Sequence, residues 1–331
     1  MTGPTRKTHV IIIDGTRSRI EPGEGTNARI LCDLLHELGD KDTYIHYDRG
    51  VQGHALWDWV TLASGWGINQ SIQTAYNLLA SRYNEGDRIY LFGYSRGAYA
   101  VRSIAGMIAE IGLVKKACAT ERILRQAYRL YERKAQPSTI AAFRAENCHE
   151  NSPIEMIGVW DTVKALGLPY PILSRLAPMA TNFHNAHVGA PVRYAFQALA
   201  MHETRQAYAP VLWETTDRFK GTLEQVWFRG VHADIGGHIH AHPPARALAN
   251  IPLVWMLDKV AACGLRLPAN WKARFPMDDD APSVGPYRGA AKFFWMRARR
   301  EMGEKCCEFI HPSAVKFLRD ADPVLPMAKI P

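Results

Sequence analysis

The chain has 331 residues, 47% hydrophobic and 22% charged, an ordinary globular composition that is ample for a large core. No run approaches the roughly 18 apolar residues of a membrane helix, and the polar start from Met1 to Lys7 leads straight into a strand pattern rather than a signal peptide. The net charge of +8 favours anionic surfaces, but the basic residues are dispersed and form no nucleic-acid module, so an anionic membrane surface is the expected contact and nucleic acid is not.

Six scattered cysteines, none in a C-x-x-C pair, point to reduced thiols and a cytoplasmic setting by default. In chain order, residues 9–13 (His-Val-Ile-Ile-Ile) form a continuous apolar run, the mark of a strand buried on both faces. It ends in Asp14-Gly15-Thr16. Functional groups gather beyond the carboxyl ends of parallel strands, so Asp14 is either a site residue or a cap for the next turn. Residues 15–19 are placed to supply a backbone N–H to the site. Thr26 or Asn27 caps a helix running to about Leu38, with Ile30, Leu31, Leu34 and Leu35 on its apolar side, and Gly39-Asp40 ends it. A second strand covers residues 43–47. The glycine- and tryptophan-rich stretch 57–67 reads as packing under a loop, and a helix follows over about 70–83 with Ile72, Ala75, Leu78 and Leu79 buried.

Residues 88–92 are a short apolar strand, followed at once by Gly93-Tyr94-Ser95-Arg96-Gly97 and a helical pattern with Val101, Ala105 and Ile108 on one face. Strand, tight turn and helix with a serine at the apex read as a nucleophile elbow, the alternative being a glycine-bracketed serine in an ordinary turn. Glycines at 93 and 97 are needed because strand and helix approach closely there. The turn exposes the Ser95 hydroxyl and aims the Arg96 backbone N–H, at a helix start, at a developing oxyanion. Strands alternating with helices imply an α/β fold with a mainly parallel sheet.

Residues 115–150 read as a helical insertion rich in arginine and lysine. A strand over Ile154–Trp160 ends in Asp161-Thr162-Val163. Residues 164–190 combine prolines, apolar side chains and little periodicity, and read as a lid or a long loop. Residues 195–205 look helical. The last clear strand, 226–230, leads into Val231-His232-Ala233-Asp234-Ile235-Gly236-Gly237, and a helix follows over 247–263 despite Pro252. Residues 265–331 form a proline-punctuated extension with no clear assignment. With no repeat and no low-complexity linker, the chain reads as one domain, 1–331, with insertions.

A serine needs a base to take its proton, and the base needs an acid to orient it. Ser95, Asp161 and His232 occur in the order Ser, Asp, His, and the acid and the histidine each follow an apolar strand, on the sheet edge where the elbow points. The alternative readings, a strand-end turn residue for Asp161 and a satisfied structural histidine for His232, are the less favoured ones. His238, His240 and His242 are competing bases on a loop with no strand to hold it, and Asp234 is better suited to ordering the glycine turn than to serving as the acid. The same histidines with Asp234 leave open a metal-dependent hydrolase, though their spacing matches no metal motif. An inactive scaffold serving as a binding module is a further alternative.

Several stretches recur together in one family: Ile13-Asp14-Gly15-Thr16, Gly93 to Ala98, Val159-Trp160-Asp161-Thr162-Val163, Ala198-Leu199-Ala200 with Glu203-Thr204-Arg205, Pro210-Val211-Leu212-Trp213, and Trp227 to Gly237. On these the sequence, from about residue 9 to about 262, resembles the catalytic domain of the first family of type VI secretion lipase effectors. The resemblance implies an α/β-hydrolase fold, a triad carried onto Ser95, Asp161 and His232, and phospholipase activity on a lipid ester, with export by a contractile secretion system open to it; a serine, histidine and aspartate acting together need no cofactor. The chain departs from the family pattern at His238, where a third glycine is usual, and at His202, where an acidic residue is usual. The large membrane-binding portion of the better-known effectors is not expected here.

Overall fold

The structure is a computed structural model that describes residues 6–15, 25–50, 66–163, 187–239, 242–287, 296–320 and 322–329. Its strands are β1 (Thr8–Ile13), β2 (Thr43–Asp48), β3 (Arg88–Tyr94), β4 (Ile154–Trp160), β5 (Val192–Ala200), β6 (Thr222–Phe228) and β7 (Glu308–Ile310). Its α-helices are α1 (Asn27–Leu38), α2 (Trp66–Arg82), α3 (Arg96–Glu110), α4 (Glu121–Glu132), α5 (Pro137–Asn147), α6 (His232–Gly236) and α7 (Arg246–Ala262). The strands form one sheet in the order β2-β1-β3-β4-β5-β6-β7. Every pairing in it is parallel.

Alternation along the strands builds the layers. Val10 and Ile12 of β1 face a core shared with α1 and α7. Ile11 and Ile13 face the opposite core, shared with α2 and α3. All six residues of β1 are buried, as a strand covered on both faces requires. The helix starts follow local chemistry: the Thr26 hydroxyl accepts from the Arg29 N–H at the start of α1, and Gly39 closes that helix in the left-handed region. The order reverses between β1 and β3, since the chain leaves β1 toward β2 and leaves β3 toward β4. A crevice opens at such a switch point beyond the strand ends.

Three expectations change. Residues 195–205 are not helical: β5 occupies Val192–Ala200 between β4 and β6. Ala195, Ala198 and Ala200 carry good helix propensity, but all three are fully buried and allow close packing, so the tertiary setting overrides propensity. The strand expected from 226 begins at Thr222, and it is not the last, because β7 from the unassigned extension pairs with β6. Three residues are too few for periodicity to reveal a strand. The basic stretch after 115 forms α4 and α5, which pack through Ala127, Tyr128, Tyr131 and Phe143 onto the α2/α3 side. The proposed lid falls largely at 164–186, and most of 57–67 with residues 16–19 lies likewise outside the described residues.

The elbow glycines are confirmed by contact. A Cβ on Gly93 would lie 2.6 Å from the Ala98 nitrogen, and one on Gly97 would lie 2.0 Å from the Ile13 carbonyl oxygen. Both obstacles are backbone and cannot turn aside. Gly97→Ala is expected to lower stability by about 3 kcal/mol, the upper range for overpacking, or to prevent folding. Soluble yield and thermal melting check this, and a wild-type melting temperature would refute it.

Candidate active site

Three strand ends bring the site together. Ser95 follows β3, Asp161 follows β4, and His232 opens α6 after the three residues that follow β6. Ser95 sits at φ 59° and ψ −121°, and Asp161 also has a positive φ of 44°. Backbone of this kind costs on the order of 1–3 kcal/mol per residue, and here both cases sit at the sheet edge where the side chains converge. Ser95 is the N-cap residue of α3, yet its side chain makes no capping hydrogen bond. Its Oγ lies 2.9 Å from His232 Nε2, and His232 Nδ1 lies 2.6 Å from Asp161 Oδ2. With the proton on Nδ1 donated to Asp161, Nε2 is left to accept from the serine hydroxyl.

The histidine ring is held on every side. Tyr94 stacks on it at 4.9 Å between centroids, and Tyr208 meets it edge-on at 4.8 Å. The Tyr94 hydroxyl donates to the His232 carbonyl, and the His232 backbone N–H donates to Glu203 Oε2. Glu203 in turn accepts from both the Arg205 backbone and its guanidinium, which covers the Tyr208 ring at 3.9 Å. Burial lowers the His232 pKa, and Asp161 opposes that only in part, so the ring is kept neutral as a base must be. Burial penalises ionised Asp161, but Arg300 and His232 outweigh it and hold the carboxyl well below the usual carboxylate range. Glu203 follows the same pattern, with Arg205 overcoming burial.

The remaining sequence candidates are support. Asp14 accepts from the Gly15 N–H, the Thr26 hydroxyl and the Tyr47 hydroxyl, each at 2.6 Å, and so ties the end of β1 to β2 and to the start of α1. The Gly15 amide hydrogen therefore goes to the preceding carboxylate rather than to the space over Ser95. Gly15 still lies against the nucleophile, since a Cβ there would be 3.5 Å from that of Ser95. Arg96 begins α3, leaving its backbone N–H among the helix-start donors beside Ser95. Asp234 orders the turn, accepting from the Val231 N–H, the Val284 N–H and the Ser283 hydroxyl. Burial raises its pKa against those three donors. Among the described residues the group with spacing for a metal is Asp278, Asp279 and Asp280, not the histidine-rich turn, and His240 lies outside them.

Arg300, Glu203, Arg205, Tyr94 and Tyr208 were missed as site residues. Tyr94 lies inside the elbow motif and Glu203 with Arg205 inside a family stretch, but neither motif assigns them a role. Arg300 carried no signal.

Residues 7–259 match the family of T6SS phospholipase effector Tle1-like catalytic domains. The chain belongs to that family. This Tle1-like domain is also 28% identical over 189 residues to an uncharacterised protein of Saccharomyces cerevisiae, YEL023C, covering 49% of the chain and 27% of the yeast protein. Among solved structures it is similar to an uncharacterised protein from Pseudomonas aeruginosa, at 15% identity and a TM-score of 0.43, over 83% of this chain and 49% of that one. The Tle1 effector bound to the VgrG spike of the type 6 secretion system matches at 17% identity and a TM-score of 0.38, over 73% and 54%. An esterase of Thermogutta terrifontis matches at 11% identity and a TM-score of 0.41, over 80% and 86%. The Tle1-like chain thus spans about half the length of the first two of these structures. No helix among its described residues is long and apolar enough to cross a membrane.

Proposed function

We propose that the chain is a serine hydrolase that cleaves carboxylic esters of phospholipids or related lipids through Ser95, His232 and Asp161. One observation carries the chemistry: the hydrogen-bonded series from Ser95 Oγ to His232 Nε2 at 2.9 Å and from Nδ1 to Asp161 Oδ2 at 2.6 Å. Ser95 Oγ attacks the ester carbonyl carbon while its proton passes to His232 Nε2. The Arg96 backbone N–H donates to the oxyanion that forms. The proton then moves to the leaving alcohol as the carbon–oxygen bond breaks, which leaves an acyl group on Ser95. Water enters by the same route and attacks the acyl carbon as its proton passes to His232, and the Ser95–acyl bond then breaks as Oγ takes that proton back, which releases the fatty acid.

Lipid as the substrate class rests on the family and on charge. A net charge of +8 favours an interface of acidic head groups, by about 1 kcal/mol for each basic residue near the surface. Hydrolysis of phospholipid vesicles with and without anionic lipid tests this. Anionic vesicles should be cut faster at low salt, and about 0.5 M salt should erase the difference because screening then acts within about 4 Å. Good turnover of short soluble esters with no attack on vesicles of either charge would remove the lipid reading and leave the serine chemistry. Failure of a fluorophosphonate to label Ser95 would remove both.

A further inference from the structure

A triad acid needs to offer one oxygen to the histidine, but Asp161 is also gripped by a cation. Arg300 Nη1 donates to Oδ1 at 2.5 Å and Nη2 to Oδ2 at 2.8 Å, a bidentate pair. The same nitrogens donate to the Ala200 carbonyl at 2.9 Å and the Tyr208 carbonyl at 2.6 Å. Oδ1 accepts in addition from the Ala200 N–H at 3.0 Å. The pair is sealed from solvent, with side-chain exposures of 3% for Arg300 and 0% for Asp161. Arg300 lies in the extension beyond residue 259, where the family match ends.

Resting on the serine-hydrolase reading, we propose that Arg300 is a positioning residue of the triad, clamping the plane of the Asp161 carboxylate and offsetting its charge at His232. The fork geometry does the first part. With both oxygens pinned and two backbone carbonyls behind the guanidinium, the carboxylate cannot rotate, so one lone pair of Oδ2 stays aimed at Nδ1. A lysine has a single nitrogen and cannot span both oxygens and both carbonyls. Charge does the second part. The groups facing His232 are Asp161 beyond β4, Glu203 and Arg205 beyond β5, Tyr208, and Tyr94 at the end of β3. Asp234 on its own helix is turned toward Ser283 and Val284. Arg205 is paired with Glu203, so Asp161 is the anion whose field on the ring depends on a remote partner.

The two parts separate by substitution. Arg300→Met exposes the ring to the whole carboxylate charge, which favours imidazolium, so His232 should titrate at a pH higher by about one unit. Arg300→Lys keeps the charge and loses the fork, so the titration should stay near wild type while kcat falls by about 10²-fold, the scale of a misplacement of about 1 Å. The readouts are the NMR titration of the His232 ring, which needs no turnover, and kcat and KM on a short soluble ester. Unchanged titration in folded Arg300→Met, or wild-type kcat in Arg300→Lys, overturns the proposal. Arg300→Gln, also neutral but able to hydrogen-bond, is read as the Met variant if that one does not fold. A shifted titration in an enzyme with no ester turnover would sustain the electrostatic coupling and sink the hydrolase reading instead.

Discussion

Ser95→Ala is expected to lower ester turnover by about 10³-fold or more, as removal of a triad nucleophile does, without loss of folding. The side chain is buried, but its hydroxyl caps no helix and is hydrogen-bonded to His232. Alanine keeps the Cβ, so the unusual backbone at φ 59° is neither more nor less strained. What disappears is the proposed nucleophile. The residual rate expected is the share owed to the proposed Arg96 N–H donor and to substrate binding, which do not depend on the hydroxyl. Turnover of a model ester and of lipid vesicles, with circular dichroism on the same sample, checks both halves. Near-full activity in a folded variant would end the serine reading.

Asp161→Asn should be nearly as damaging, with a loss of about 10⁴-fold by analogy with other triads, and the hydrogen bonds say why. Both carboxylate oxygens face donors: Oδ1 faces Ala200 N–H and Arg300, while Oδ2 faces Arg300 and His232. An asparagine must turn its NH₂ toward one of these sides. Neither the backbone amide nor the guanidinium can become an acceptor, but the imidazole can, by moving its proton from Nδ1 to Nε2. The favoured arrangement therefore places the proton on the nitrogen that should accept from Ser95. His232→Ala removes the base outright, and Ser95→Ala/His232→Ala should be about as poor as either single variant because the two act as one unit. His242→Ala should leave turnover near wild type. Kinetics on the four variants decide this, and additive losses, or a worse lesion at His242, would mean that a different base works with Ser95.

How much of this was readable in advance varied from element to element. The α1 cap at Thr26, the stop at Gly39 and the strand Ile154–Trp160 were legible because caps, left-handed glycines and buried apolar runs act within a few residues. The strand β5 was not, since a run rich in alanine carries little local strand preference until neighbours on both sides supply its hydrogen bonds. The close packing at Gly93 and Gly97 was expected from the motif, although the obstacle at Gly97, the Ile13 carbonyl, belongs to a strand far earlier in the chain.

The order Ser95, Asp161, His232, each beyond an apolar strand, was determined by the sequence alone. A parallel sheet sends every strand the same way, so groups that follow strands meet at one edge. Tertiary structure alone decided which neighbours tune them. Arg300 reaches Asp161 across 139 positions, and Glu203 reaches the His232 backbone across 29. Contacts at such separations leave no period or spacing to read. They exist because β5, β6 and the extension that carries β7 return to the same sheet, and the low-dielectric interior formed there makes a buried carboxylate depend on its cation.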